Sequence, residues 1–322
     1  MLLTHSRLNK IIVTGGAGFI GSHIVDRLLE MGAEVLIIDN YSTGNRENNQ
    51  DHPNLTIVEG SISDSKLVNS VFYEFMPNTV IHAAASYKDP DHWGEDILTN
   101  VFGTSNIINA GKDLKIKRLI YLQTSLCYGL KPLESPVSLN HPFFSGSYSG
   151  GSSYAISKTA GEMYIELSGL DFVSFRLANT YGPRNLTGPL PAFYSRIEAG
   201  KEVTITDTRR DFIYVDDVVD CIIQAALGEG EHGYYHLSTG KDCAIKDLFD
   251  SMLQVMGISY DNVRIKPKGE DDVSTILIDP SKTFKVFGWK SKVDLREGIQ
   301  KSIAYYRRFG LPNTYTHLKN IN

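Results

Sequence analysis

Through the first 180 residues, short apolar runs alternate with segments whose apolar positions recur at helical spacing. Runs at 11–14, 35–39, 55–59, 79–82, 119–123 and 173–177 read as strands. The stretches between them, 20–31, 64–75, 97–110 and 154–167, read as amphipathic helices. Near-continuous apolar strands separated by such helices imply a parallel sheet covered on both faces, an α/β doubly wound architecture. After Leu177 the pattern changes. The Pro/Gly-rich stretch NTYGPRNLTGPLP (179–191) leads into shorter strands at 203–206 and 234–238 and helices at 245–256 and 295–307. Residues 1–180 are thus expected to form one unit, to which 211–234 returns, with 181–210 and 235–322 forming a smaller α/β lobe. FFSGSYSGGSS (143–153) reads as a loop, and no internal repeat is present.

The turn after the first strand gives the larger unit its chemistry. IIVTGGAGFIGSHIVDRLL (11–29) places Gly15, Gly18 and Gly21 between a strand and a helix. Glycines permit a sharp turn and close backbone approach to a pyrophosphate, which the helix N-terminus stabilises. The second strand ends on Asp39, 18 residues past Gly21, near the spacing of a ribose-binding acid. A carboxylate there accepts hydrogen bonds from both ribose hydroxyls and repels a 2′-phosphate. A Rossmann-type domain binding NAD rather than NADP is therefore expected.

Two further segments carry candidate chemistry. In SYAISKTAGE (153–162), Tyr154 and Lys158 stand four apart, on one face of a helix. A neighbouring cation favours the phenolate, so Tyr154 is expected to exchange a proton with a hydroxyl while hydride moves to a nicotinamide. In QTSLCYG (123–129), Thr124, Ser125 and Cys127 end a strand run, and nothing in the local sequence marks Cys127 as a lowered-pKa thiol.

Charge and cysteine usage narrow the classes. Thirty-two Lys and Arg against 37 Asp and Glu give a net charge of −5 without a basic block, which argues against nucleic acid or an anionic membrane as partner. Three dispersed cysteines fit a reducing compartment, and no Cys/His spacing suggests a zinc site. Neither a signal peptide nor an apolar run of membrane-spanning length is read, so a cytoplasmic protein without metal is expected.

TGGAGFIG (14–21), HAAA (82–85), TNVFGT (99–104), YAISK (154–158), RLANTYGPR (176–184), RRDFIYVDDVVD (209–220) and DPSKTFKVFGWKSKVDLREGI (279–299) together resemble the extended short-chain dehydrogenase/reductase family, in its nucleotide-sugar epimerase/dehydratase branch. The resemblance covers nearly the whole chain. With SYKDPDHWGED (86–96), QTSLCYG and DPSKT, it extends to the WbmG-type enzymes of bacterial lipopolysaccharide O-antigen biosynthesis.

It implies bound NAD and a catalytic set of Thr124, Tyr154 and Lys158. It implies cofactor contacts from Gly15, Ala17, Gly18, Phe19, Ile20, Gly21, Asp39, Asn40, Thr43, Gly44, Gly60, Ser61, Ile62, Ala83, Ala84, Ala85, Asn100, Tyr154, Lys158 and Ala178. Substrate contacts fall on Lys88, Thr124, Asn179 and Arg210, with His92 and Trp93 as pocket candidates and Arg209 as a solvated charge. Dehydratases of the family resemble T-D-E, and uronate decarboxylases T-S-E, where this chain reads Thr124-Ser125-Leu126. Without the extra acid, transient oxidation and return of the same hydride suffice. C4 epimerisation of a UDP-sugar, a uronic acid or amino sugar included, is the expected reaction. A dehydratase, decarboxylase or reductase of the same family, or a non-catalytic NAD-binding protein, stands as the alternative. Many members carry a phosphate-binding arginine before DPSK, and in 268–282 the only basic residue ahead of DPSK is Lys268. The resemblance also implies a homodimer through helices 97–110 and 154–167, for which Ile107, Ile108, Met163 and Ile165 are the apolar candidates.

Overall fold

The computed structural model describes residues 10–87, 91–144, 152–268, 275–311 and 314. The large unit runs β1 (Lys10–Thr14), α1 (Phe19–Glu30), β2 (Glu34–Asp39), β3 (Leu55–Glu59), α2 (Ser65–Phe75) and β4 (Thr79–His82). One long helical stretch follows: α3 (Trp93–Asp96), a π-helical run Ile97–Gly103, and α4 (Thr104–Leu114). It continues through β5 (Arg118–Thr124), α5 (Ser153–Leu167) and β6 (Phe172–Leu177). The remainder comprises β7 (Asn179–Tyr181), α6 (Pro189–Glu198), β8 (Val203–Thr206), β9 (Arg209–Arg210), β10 (Phe212–Tyr214), α7 (Val215–Ala226), β11 (Gly233–Leu237), β12 (Cys243–Ala244), α8 (Ile245–Met256), β13 (Val263–Lys266), α9 (Ser281–Phe287) and α10 (Leu295–Phe309).

Seven strands form one sheet in the order β11-β6-β5-β4-β1-β2-β3, every pair parallel. This is the Rossmann-type doubly wound sheet. Its strand order reverses between β1 and β4, where such sheets open a crevice beyond their C-terminal ends. Alternation along β1 feeds two cores: Ile11 and Val13 face the layer of α1 and α7, whereas Ile12 faces α2 and α4. Three short pairs, β7–β10, β9–β12 and β8–β13, cap the C-terminal side.

Two expectations change. The strand read at 234–238 in the smaller lobe instead pairs with β6, Tyr235 opposite Phe175, and becomes the edge of the large sheet. Both residues are fully buried, so their apolar area outweighs chain proximity. The helix read at 97–110 begins at Trp93 and widens into the π-turn before α4.

Candidate active site

The C-terminal ends of β1, β2, β4 and β5 border a cleft of about 1690 Å³, closed on its far side by β7, β8, β9 and α6. Gly15, Gly18, Phe19, Ile20 and Gly21 line one end. Gly15 has φ +70°, and a Cβ there would lie 2.7 Å from the Ala84 backbone, so only glycine fits without strain. Gly18 caps α1 without a side-chain partner, which leaves first-turn N–H groups available to an anion.

Asp39 closes β2 and lines the same cleft. Its Oδ2 accepts the Ala17 N–H at 2.9 Å and its Oδ1 the Tyr41 N–H at 2.8 Å. Burial raises its carboxyl pKa, and the two N–H bonds oppose that rise. Asn40, Thr43, Gly60, Ser61, Ile62, Ala83, Ala84, Ala85 and Ala178 are also in the lining. Ala17 and Gly44 stand behind it: a Cβ on Gly44 would come within about 3.0 Å of Ala17 and Asp39. Loop packing, donor geometry and a fixed acid all suit a dinucleotide.

Asn100 does not line the cleft. Fully buried in the π-run, it accepts the Ser86 N–H at 2.8 Å and donates to Ser86 O and Ser157 Oγ, both at 2.9 Å. It fastens the end of the Ala83–Ala85 segment to α5. His82 supports the same region from below. The Thr14 hydroxyl lies 2.7 Å from its Nδ1, and its Nε2 lies 2.9 Å from Thr104 Oγ1. Thr104 gives its proton to Asn100 O, so the imidazole carries its proton on Nε2. Burial, then the Lys158 charge, holds His82 well below the usual histidine range, hence neutral.

Thr124 ends β5, its hydroxyl oxygen accepting the Leu126 N–H at 3.2 Å. That bond fixes the hydroxyl without consuming its proton. Gln123 braces it, taking the Thr124 N–H on Oε1 at 2.8 Å and donating Nε2 to Lys158 O at 3.1 Å. Tyr154 occupies the first turn of α5, which Ser152 caps through the Ala155 N–H. Thr124, Tyr154 and Lys158 all line the cleft, and the Tyr154 ring packs 5.7 Å from Tyr87. Lys158 is buried with its ammonium 3.9 Å from the centre of the Tyr121 ring.

The charges differ from the sequence expectation. Burial, then the Asp96 carboxylate, pushes the Tyr154 phenol upward in the protein alone, while burial brings Lys158 down to about 7 against the opposing pull of Glu162. For both groups desolvation is the largest cause.

On the far side, Asn179 and Arg210 line the cleft, with Asn179 Nδ2 at 3.3 Å from Asp211 O. Lys88 lies outside the described residues. His92 and Trp93 reach the lining from the start of α3. Arg209 is an exposed charge as expected, paired with Asp242 at 2.9 Å. Cys127 is fully buried and its thiol pKa is raised by desolvation, so it is inert, whereas Ser125 and Leu126 reach the lining. Among the described residues no group of three His, Cys, Asp or Glu is placed to hold a metal, and no helix is long and apolar enough to cross a membrane.

Sequence reasoning missed Gln123, His82 and Glu162. Each is a polar side chain inside an apolar run or on a buried helix face, and such groups must find partners.

A glycine turn, a strand-end acid, and a Tyr/Lys helix beside a strand-end threonine define a dinucleotide-dependent enzyme of the extended short-chain dehydrogenase/reductase type. Residues 11–235 match the model of the NAD dependent epimerase/dehydratase family, and the chain belongs to that family. It is 32% identical over 314 residues to a putative UDP-glucose 4-epimerase of Methanocaldococcus jannaschii, covering 92% of this chain and 98% of that one. It superposes on Bordetella bronchiseptica WbmH, solved in complex with NAD+, with a TM-score of 0.90 at 49% identity, over 94% of this chain and 99% of that one. WbmG of the same organism, solved with NAD and UDP, gives 0.87 at 41% identity, over 96% and 98%. NAD is the cofactor of this family.

Proposed function

We propose that the chain is an NAD-dependent nucleotide-sugar epimerase that inverts C4 of a UDP-sugar. The observation carrying this reading is that Thr124, Tyr154 and Lys158 line one cleft with the glycine turn, while Leu126 rather than an acid follows Ser125. Tyr154 Oη takes the proton of the sugar hydroxyl and later returns it. Thr124 Oγ1 orients that oxygen by donating its spare proton. Lys158, when cationic, favours the phenolate and so works against its burial cost without cancelling it. Bound NAD would supply the hydride acceptor and donor for the sugar carbon, and its cationic ring would work against the upward shift of the phenol. Gly15 to Gly21 and Asp39 hold it. No second acid is required, because nothing is eliminated.

Asn179 and Arg210 serve the sugar diphosphate in this reading, and the sequence offers Lys88, outside the described residues, as a partner for a carboxylate substituent. The direct test is incubation with UDP-, GDP-, TDP- and CDP-sugars followed by NMR. Inversion at C4 without solvent deuterium is expected. Deuterium at C3 or C5, or a product that has lost water, would overturn it.

The cytoplasm is the expected site of action, and the working unit is a homodimer. Of the four apolar candidates, Ile107, Ile108 and Ile165 are buried against the protein's own core, and only Met163 is exposed. The exposed apolar residues Ile97, Phe102, Ile156, Met163, Tyr164 and Leu167 lie on the adjoining helices instead. Met163→Glu is expected to yield monomers by light scattering. A monomeric native protein would refute the dimer.

A further inference from the structure

Glu162 stands one turn beyond Lys158 on α5, so the two side chains share a face. Each is 1% exposed, and Glu162 is the only buried acid on that helix, since Glu166 faces solvent. Its Oε1 accepts the Ser174 hydroxyl at 2.5 Å, and its Oε2 accepts Arg176 Nη2 at 2.9 Å. Arg176 Nη1 donates to Tyr128 Oη at 2.7 Å. His236 gives its Nδ1 proton to Asp279 O at 2.9 Å, so its Nε2 accepts the Tyr128 hydroxyl at 2.6 Å. One directed chain thus runs from the catalytic helix through β6, the turn after β5 and the edge strand β11 to the segment before α9.

Burying an ion pair is costly, and apolar side chains of the same volume often stabilise a fold as well. Its location behind Lys158 supplies a reason to keep it. The groups that face or adjoin the ammonium are Tyr154 and Glu162 from α5, the uncharged Tyr121 from β5, the neutral His82 from β4, and Arg176 from β6 on the far side of Glu162. Glu162 is the anion that acts on it.

We propose that Glu162 is a positioning residue that keeps Lys158 cationic, and that the Arg176–Tyr128–His236 chain fixes where its carboxylate stands. The inference rests on the epimerase reading. Removing the negative charge favours neutral lysine, so Glu162→Gln is expected to move the alkaline limb of the kcat profile of the NAD-loaded enzyme to lower pH by about 1 unit. Glu162→Asp, which keeps the charge, is expected to restore most of it. The tyrosinate absorbance assigned to Tyr154, with Tyr154→Phe as blank, is expected to titrate at higher pH in Glu162→Gln. Because Gln would leave Arg176 buried and unpaired, the double variant Glu162→Gln/Arg176→Gln is run beside it, and a smaller shift in the same direction is expected, since Arg176 stands beyond Glu162. A uniform loss of rate without displacement of the limb, or an unmoved tyrosinate titration, would overturn the inference. Native enzyme that turns over no nucleotide sugar would instead refute the reaction it rests on.

Discussion

Tyr154→Phe is expected to lower sugar interconversion by about 10²- to 10⁴-fold, the range of a lost general acid–base group, while the fold and the bound NAD persist. The separation of these effects follows from the placement of the side chain. Its ring packs against Tyr87, and phenylalanine keeps that contact. The contacts proposed for the cofactor, the glycine turn and Asp39, line the same cleft apart from this ring. Only the hydroxyl, on which the proton must travel, is removed. Turnover measured by NMR beside the NAD retained after gel filtration reads both quantities, and undiminished turnover would end the mechanism.

Asp39→Asn is expected to weaken NAD by about 10- to 100-fold, the value of hydrogen bonds to a charged acceptor, and to narrow the preference for NAD over NADP. The carboxylate accepts two backbone N–H groups at once, from Ala17 and Tyr41. The two N–H groups address different oxygens, and in an amide one of these becomes NH₂, which faces an N–H donor and leaves it unpaired. The repulsion of a 2′-phosphate disappears with the charge. Calorimetric titration with both dinucleotides checks this. Unchanged NAD affinity, with NADP still excluded, would remove Asp39 from the ribose site.

The large sheet was legible because its strands are short apolar runs and its helices carry regular stripes, a pattern set by local periodicity. The glycine turn and Asp39 were legible because their chemistry depends on sequence spacing. What the chain concealed depends on register between distant elements. Tyr234 to Leu237 reads equally well as a strand of either lobe, and only pairing with β6 settles it. Ile107, Ile165 and Met163 are all apolar residues on helices, yet which of them turn toward the sheet depends on helix rotation. Lys158 and Tyr154 were identified by spacing, but the direction of their pKa shifts was not, because burial is invisible in a motif. The supports beneath them, His82 and Gln123, sit in strands that otherwise look purely apolar.

The π-run at Ile97–Gly103 winds more slowly than the helices on either side of it. It therefore acts as a phase shifter in the longest rod of the fold. Within it Asn100 turns inward to Ser86 and Ser157, and downstream Ile107 and Ile108 still reach the core. Trimming one residue would restore ordinary winding but swing everything on one side by about 100°. At this point the rod should tolerate exchange of side chains far better than a change in length.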